Sequence, residues 1–237
     1  MKNLLLADNR HDLLATLEPV LKHWGYRVLT ATDAAQATAF LASSSPVMLL
    51  IGTNLLNALE LQLPAPAPPL LALAHPAAPS PAAPDELLLN VPVDIFQLYS
   101  FIQNHVERYP RHNLRLRVRL PGMYRRAGEE FVMAEVLNLS MNGLFFRSPL
   151  RLAAGDRVAA VCSLLGHSCE LEVSGTVLYT VEPVAANDYL QGFAMGFDVL
   201  APEQNELLKR FLTERLFKEV SACQTGVGDF SADHLLR

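Results

Sequence analysis

The segment RHNLRLRVRLPG (residues 111–122) marks the point where the architecture of this chain changes. From residue 114 onward, apolar residues alternate with arginines, and this period of two is typical of a β-strand with one buried face. The residues predicted to face a core are Leu114, Leu116, Val118 and Leu120. The arginines between them are predicted to face solvent, so the segment should open an antiparallel β domain.

The charge of the chain is concentrated around this segment. The net charge is −5, but residues 108–126 carry seven arginines and no acidic residue. The segments on either side, 1–107 and 127–237, are both acidic. The planar guanidinium of arginine matches phosphates and guanine edges, which a lysine ammonium does not. This basic joint is therefore a candidate site for an anionic ligand.

Length and composition favour two domains in a protein without membrane helices. The chain has 237 residues, 51% of them apolar, and single domains usually span about 100–200 residues. No apolar run reaches the roughly 18 residues that a membrane helix needs. The three cysteines form neither a disulfide framework nor a zinc set, which is typical of the cytoplasm, the predicted location. We predict domains at 1–107 and 108–220, followed by a loose tail at 221–237.

The first half alternates strand and helix patterns. Strands are expected at residues 3–7, 26–31, 46–52, 70–74 and 86–91, and helices at 12–24, 33–44 and 94–107. This alternation predicts an α/β fold with a doubly wound parallel sheet of about five strands. Two proline-rich stretches, 63–70 and 75–85, interrupt the pattern, and the second is interpreted as an extended connection.

The second half contains short alternating runs separated by turn residues. Strands are expected within residues 114–122, 131–140, 143–148, 156–165, 169–181 and 192–200. Their length and spacing predict a small antiparallel barrel or sandwich. Residues 202–220 are expected to close the domain as a helix that begins at Pro202.

Residues 1–107 resemble the receiver domain of bacterial response regulators. The resemblance lies in LLLADN (4–9), GYRVLTATDAAQAT (25–38), PVMLLIG (46–52) and NVPVD (90–94). It implies a flavodoxin-like fold and, in the family, phosphorylation of an aspartate. Of the family's functional positions, only Asp8 is retained. The others fall on Asn9, Gly52, Ala74 and Val91.

The retained and replaced positions predict a receiver-like domain without the receiver chemistry. Gly52 offers no acceptor oxygen, so no phosphoacceptor is expected. A single carboxylate at Asp8 is a weak magnesium site, so no metal is expected. Asp8 is instead interpreted as a charge or cap near a helix N-terminus. The alternative acceptors fail as well, because Asp12 lies within a predicted helix and Asn54 is not an acid.

Residues 108–220 resemble the PilZ domain, a six-stranded antiparallel barrel that binds the bacterial messenger cyclic di-GMP. RHNLR (111–115) fits an R-x-x-x-R motif, NLSMNG (138–143) fits [D/N]-x-S-x-x-G, and GFAMGFDVL (192–200) fits a glycine-rich strand near the end of the domain. The resemblance implies that the ligand-binding residues are Arg111, Arg115, Asn138, Ser140 and Gly143. It also implies that the linker folds over the ligand, which can enter as a stacked dimer.

The chemistry of these residue types suits a ligand with two phosphates and two guanines. The guanidinium of arginine donates paired hydrogen bonds to phosphate oxygens or to guanine O6 and N7, and it stacks on bases. Ser140 supplies a hydroxyl and Asn138 an amide. Arg115 and Arg119 also fit the first motif, but the motif should precede the strand, which favours Arg111 and Arg115.

The other basic residues near the motifs are interpreted differently. Arg108 and Arg147 are additional candidate ligands, although a strand-edge charge is the preferred interpretation of Arg147. The arginines interpreted as a solvated face are Arg117, Arg119, Arg125 and Arg126.

The predicted function is that of a non-enzymatic cyclic di-GMP receptor with no catalytic residues and no cofactor. Binding is expected to change the interdomain orientation or the choice of protein partner, and so to regulate motility, pili, adhesion or exopolysaccharide. A protein partner, on either domain, and a homodimer are both compatible with the sequence. The alternative is a PilZ-type adaptor that binds proteins but no nucleotide. Nucleic-acid binding is disfavoured, because the basic patch is short and the rest of the chain is acidic.

Overall fold

The computed structural model describes residues 1–56, 67–74, 88–166 and 170–223 of the chain. The proline-rich stretch 75–85, residues 63–66 of the other proline-rich stretch and the tail beyond Cys223 lie outside these residues. The described chain divides into two compact units, Met1–His112 together with the end of the last helix from Phe217, and Asn113–Leu216.

The first unit contains a parallel sheet whose strands alternate with helices. In chain order its elements are β1 (Asn3–Ala7), α1 (His11–His23), β2 (Arg27–Ala31), α2 (Ala34–Ser44), β3 (Met48–Gly52), α3 (Thr53–Leu56), β4 (Leu70–Leu73), β5 (Leu88–Leu89) and α4 (Ile95–Val106). The strand order is β2-β1-β3-β4-β5, and every described pairing is parallel. This order is consistent with a flavodoxin-like fold, and it fits the doubly wound parallel sheet that the sequence predicted.

Both faces of this sheet are buried, which explains the continuous apolar runs of its strands. Leu5 and Leu49 pack with Ala37 of α2 in one cluster. The alternate residues Leu4 and Leu50 point to the opposite face and are fully buried as well. The predicted cap of α2 is confirmed, since Asp33 accepts a hydrogen bond from the backbone N–H of Gln36 at 2.9 Å.

The second unit is a closed antiparallel barrel. Its strands are β6 (Arg115–Arg126), β7 (Val132–Ser140), β8 (Gly143–Arg147), β9 (Arg157–Ser163), β10 (Glu170–Val181) and β11 (Gly192–Phe197), followed by α5 (Pro202–Cys223). The barrel closes in the order β10-β11-β8-β7-β6-β9. The strand pattern alone left barrel and sandwich open, the resemblance predicted a six-stranded barrel, and the pairing of β9 with both β6 and β10 confirms the barrel.

The first barrel strand confirms the alternation on which its prediction rests. Leu116, Val118 and Leu120 are buried, whereas Arg115 and Arg117 are exposed. Inside the barrel, Tyr124 packs edge-on against Phe193 with ring centroids 4.8 Å apart. The Tyr124 hydroxyl is paired with Ser148 Oγ at 2.5 Å, so its polar end is satisfied in the core.

Two elements differ from the sequence prediction. The helix α3 was not expected, and α5 extends to Cys223 rather than ending at residue 220, so the predicted tail does not begin at 221. Leu216 and Val220 are buried on one face of α5, and this apolar spacing continues the helical pattern to its last turn. No described helix is long and apolar enough to span a membrane.

Candidate functional site

The carboxyl edge of the parallel sheet carries the positions that would be catalytic in a receiver. Asp8 follows β1 and is fully buried. Its Oδ1 accepts the backbone N–H of Arg10 at 2.8 Å, an arrangement known as an Asx turn. Arg10, not Asp8, is the N-cap residue of α1, and it makes no side-chain capping bond. Asp8 therefore shapes the turn before the helix rather than capping it.

A guanidinium fills the space around this buried carboxylate. Arg10 Nε donates to Asp8 Oδ1 at 2.9 Å, and Arg10 NH2 donates to Asp8 Oδ2 at 2.6 Å. The remaining nitrogen, NH1, donates to the backbone carbonyl of Ala74 at 3.0 Å. Both carboxylate oxygens are thus bound by one planar fork. Arg10 supplies the positive charge that a divalent cation would otherwise bring, and it links the ends of β1 and β4.

The phosphoacceptor position of the resemblance has no room for a side chain. Gly52 ends β3, and a Cβ built on it would overlap the carboxylate of Asp8 and lie 2.6 Å from Asn54 Oδ1. That amide oxygen is buried without a hydrogen-bond partner. Among the described residues, no group of three or more His, Cys, Asp or Glu side chains could hold a metal ion.

The linker that carries the first arginine motif is tied to α4. The backbone N–H of Arg111 donates to Gln103 Oε1 at 3.0 Å. Gln103 is buried, and its Nε2 donates to the Tyr26 hydroxyl at 3.2 Å. The Arg111 side chain is exposed, and the Arg108 guanidinium lies 5.3 Å from the ring centroid of Tyr109. Among the described residues, no hydrogen bond or ion pair engages the Arg111 side chain, so it is available to a ligand while its backbone is held by Gln103.

The same network continues to the start of the chain. The Tyr26 hydroxyl donates to Glu107 Oε1 at 3.0 Å, and Lys2 Nζ donates to Glu107 Oε2 at 2.7 Å. The hydrogen bond from Lys2 holds the pKa of the Glu107 carboxyl below its usual value. Burial and the nearby Glu107 carboxylate raise the pKa of Tyr26. The linker therefore begins next to Glu107, whose carboxylate accepts hydrogen bonds from Lys2 and Tyr26 at the end of α4.

The second motif lies on the outer face of the barrel, opposite the start of β6. In the antiparallel β6–β7 pair, Arg115 is directly opposite Ser140, and Arg117 is directly opposite Asn138. Opposite residues share a face and have Cβ atoms about 5 Å apart. The residue pair between them, Leu116 and Leu139, is buried in the barrel. Two exposed arginines and the partly buried Asn138 therefore lie on one face of the barrel wall, and the buried Ser140 lies beside them on the same face.

Ser140 and Gly143 both have a structural task in the turn between β7 and β8. The Ser140 hydroxyl donates to the backbone carbonyl of Gly143 at 3.0 Å. Gly143 pairs with Gly196 of β11, and a Cβ at position 143 would overlap the backbone carbonyl oxygen of Met195. Gly143 is required by this close strand approach. Its φ is not in the left-handed region, so turn conformation does not demand glycine there.

A β-bulge separates Asn138 from the preceding part of β7. Val136 pairs with Phe146 of β8, and Asn138 pairs with the adjacent Phe145, so Leu137 has no partner on β8. Asn138 lies opposite Arg117, and the adjacent Leu139 is buried, so alternation places Asn138 on the outer face. Val136 is buried inside the barrel although it is two residues from Asn138, and the extra residue of the bulge accounts for this change of face.

Arg147 lies away from this patch. It ends β8, four residues from Gly143, which is about 13 Å along a strand. Its NH1 lies 3.9 Å from Glu135 Oε2, and both side chains are exposed. This geometry favours a strand-edge charge over a ligand contact.

The structure brings together some predicted residues and leaves others in the first unit. Arg115, Asn138, Ser140 and Gly143 are neighbours on the barrel, whereas Arg108 and Arg111 belong to the first unit. Sequence reasoning missed the role of Arg10, although an arginine two residues after the only retained acid was a usable signal. No sequence signal indicated Gln103.

A family model described as "PilZ domain" matches residues 107–214. No curated protein matches the chain. The family model does not cover the first unit, so the receiver assignment of residues 1–107 remains a prediction. The PilZ domain is a ligand-binding module rather than a catalytic one.

Solved structures with similar folds cover about half of the chain. "Inhibitor of motility (MotI/DgrA)" from Bacillus subtilis is 14% identical with a TM-score of 0.41, covering 46% of this chain and 52% of its own. The PilZ domain of YcgR with c-di-GMP from Escherichia coli is 15% identical with a TM-score of 0.39, covering 49% and 98%. The MrkH–c-di-GMP complex from K. pneumonia is 16% identical with a TM-score of 0.42, covering 51% and 57%. The chain therefore spans about half the length of the first of these proteins.

Proposed function

We propose that this chain, whose residues 107–214 form a PilZ domain, is a non-enzymatic receptor for cyclic di-GMP. The observation that carries the proposal is the pairing of the two motifs across one strand pair. Arg115 of the first motif lies opposite Ser140 of the second, on the outer face of the barrel. The residues that we propose to bind the ligand are Arg111, Arg115, Asn138 and Ser140, with Gly143 shaping the turn beneath them.

The barrel patch fits an anionic nucleotide in charge and in hydrogen-bonding groups. Arg115 is exposed, and among the described residues no ion pair or hydrogen bond engages its side chain. A guanidinium without a protein partner can donate two hydrogen bonds to a phosphate or to a guanine edge without breaking a hydrogen bond to the protein. The Asn138 amide adds two donors and an acceptor beside it.

The linker would complete the site from the first unit. The exposed guanidinium of Arg111 could close over the ligand, and Arg108 could follow it. Ordering about eight linker residues costs conformational entropy, which several charge-assisted hydrogen bonds would offset. Since Arg111 is anchored to Gln103, we propose that binding alters the relation between the two units and thereby the choice of protein partner. We propose that the protein acts in the cytoplasm and that it regulates motility, pili, adhesion or exopolysaccharide.

Isothermal titration calorimetry of the full chain with cyclic di-GMP tests the proposal. Arg111→Ala and Arg115→Ala should each weaken binding by about 10- to 100-fold, because each removes hydrogen bonds to a charged group. Arg151→Ala is a matched control, since this exposed arginine pairs with Glu182 at 2.8 Å and is proposed to have no ligand role. Absence of heat with the wild-type protein would overturn the receptor proposal and favour the adaptor alternative.

We further propose that the first unit is a receiver-like scaffold that is not phosphorylated. Gly52 supplies no acceptor oxygen, and Arg10 already binds both oxygens of Asp8. A metal or phosphoryl group would have to displace a buried ion pair before it could bind. The unit would then act through fixed contacts rather than through a phosphorylation switch.

A further inference from the structure

Arg117 occupies a position that the binding motifs do not include. It is two residues beyond Arg115 on β6, and it shares the outer face because side chains alternate along a strand. Its register partner on β7 is Asn138, which belongs to the second motif. Arg115 and Arg117 are thus about 7 Å apart along the strand, each facing one polar residue of the same motif.

Several arginines of the barrel are engaged by neighbouring side chains, whereas Arg115, Arg117 and Arg119 have no hydrogen bond or ion pair among the described residues. Elsewhere, Arg126 pairs with Glu129 at 2.7 Å, and Arg157 pairs with Asp198 at 2.6 Å. Arg125 stacks over the ring of Phe131 at 4.6 Å. Within the described part of the chain, neither a hydrogen bond nor an ion pair engages the side chain of Arg117. Adjacent like charges repel, so a bound anion would relieve an unfavourable interaction here.

The next arginine along the strand is in a different environment. Arg119 lies at the register shift between Arg117 and Leu120, where β6 no longer faces the second motif. Two residues further, Pro121 pairs with Glu135, whose carboxylate already faces Arg147. The negative charge of Glu135 at that end of the patch does not attract a phosphate. The anion-binding surface therefore ends at Arg117.

We propose that Arg117 is a third guanidinium of the cyclic di-GMP site and that it holds a phosphate together with the amide of Asn138. This inference rests on the proposed receptor function. It reverses the interpretation of Arg117 as part of a solvated face. The arrangement follows from the register of β6 and β7, in which Arg117 lies opposite Asn138 while the adjacent Leu139 is buried inside the barrel.

The test compares Arg117→Ala with Arg125→Ala by calorimetry of the full chain with cyclic di-GMP. Both substitutions remove one exposed guanidinium from the outer face of β6, about 26 Å apart. Arg117→Ala should weaken binding about tenfold or more, and Arg125→Ala by less than about twofold. Arg117→Lys keeps the charge but not the planar fork, so its loss should lie between those of the two alanine variants.

Each outcome distinguishes the inference from the function on which it rests. If the wild-type protein binds and Arg117→Ala binds within about twofold of it, the role of Arg117 is refuted and the receptor function stands. If the wild-type protein does not bind, both fail. Equal losses in Arg117→Ala and Arg125→Ala would also refute the inference, since they would show only a general effect of net charge.

Discussion

Arg10 determines what chemistry remains at the end of β1. Its guanidinium neutralises the buried Asp8 and reaches the carbonyl of Ala74, so one side chain replaces a cation and links two strands. The pair is enclosed, with Asp8 fully buried and the Arg10 side chain 20% exposed. Removing one partner from such a pair is costly, because the other charge is left in a medium that cannot solvate it.

Arg10→Ala should therefore destabilise the first unit by about 3–5 kcal/mol. Urea unfolding followed by the fluorescence of Trp24, the single tryptophan of the chain, reports on this unit selectively. Lys22→Ala is the control, because it breaks an exposed i,i+4 pair with Glu18 that contributes no more than about 0.5 kcal/mol. If both variants lower the urea midpoint of unfolding equally, the ion pair between Arg10 and Asp8 contributes no more to stability than the pair between Lys22 and Glu18. Adding Asp8→Asn to Arg10→Ala should restore part of the loss.

At the scale of single residues, the sequence identified the motif positions but not their neighbours. The resemblance to the PilZ motif identified Asn138 and Ser140. It could not identify Arg117, because the register partner of Arg117 is 21 positions away in the chain. The resemblance placed Gly143 among the ligand-binding residues, and the structure shows that the backbone carbonyl of Met195 excludes a side chain there.

At the scale of elements, the carboxyl edge of the parallel sheet is where function would reside in this fold class. In this chain the strand ends present Gly52 and Ala74, neither of which carries a reactive side chain. A Cβ at position 52 would overlap the carboxylate that Arg10 binds. Gly52 and Ala74 thus provide no phosphoacceptor oxygen at these strand ends, and the carboxylate of Asp8 is already bound by Arg10.

Incubation of the full chain with acetyl phosphate and Mg²⁺ should consequently give no phosphoryl adduct in intact-mass measurements. An active receiver domain treated in parallel is the positive control. A stable adduct would contradict the proposal, and mapping it to Asp8 or Asp12 would show which carboxylate had become accessible. The physical reason for the expected result is that phosphoryl transfer needs both an acceptor oxygen and a cation to offset charge.

The barrel strands show a second effect at the element scale. The alternation of β6 is regular, and the sequence predicted its inner and outer faces correctly. The alternation of β7 is interrupted by the bulge at Leu137. The bulge allows Val136 to face the interior although Asn138, two residues away, lies on the face of the β6 arginines.

At the scale of the whole molecule, two acidic segments flank a +7 joint of residues 108–126. The joint begins in the first unit, where Gln103 holds the backbone of Arg111, and it continues into β6 of the barrel. A ligand that binds residues of this joint would alter the short connection between the two units, and we propose that the signal is transmitted in this way.

Small-angle X-ray scattering of the full chain should therefore change on addition of saturating cyclic di-GMP. Cyclic di-AMP is the matched control ligand, because it carries the same phosphates but lacks the guanine edge that arginine recognises. An unchanged scattering curve at confirmed saturation would contradict a change in interdomain orientation. It would leave altered partner binding as the remaining route from ligand to output.

The residues by themselves determined the alternation of strands and helices in the first half and the two faces of β6, and the resemblance to known families added the flavodoxin-like fold, the six-stranded barrel and the two binding motifs. The first two follow from local periodicity, which a linear pattern records directly. Tertiary structure alone decided the strand order of the parallel sheet, the pairing of Asn138 with Arg117, and the position of Arg10 at the edge of the sheet. Each of these depends on register or contact between residues far apart in the chain, and a shift of one position reverses the face on which a side chain lies.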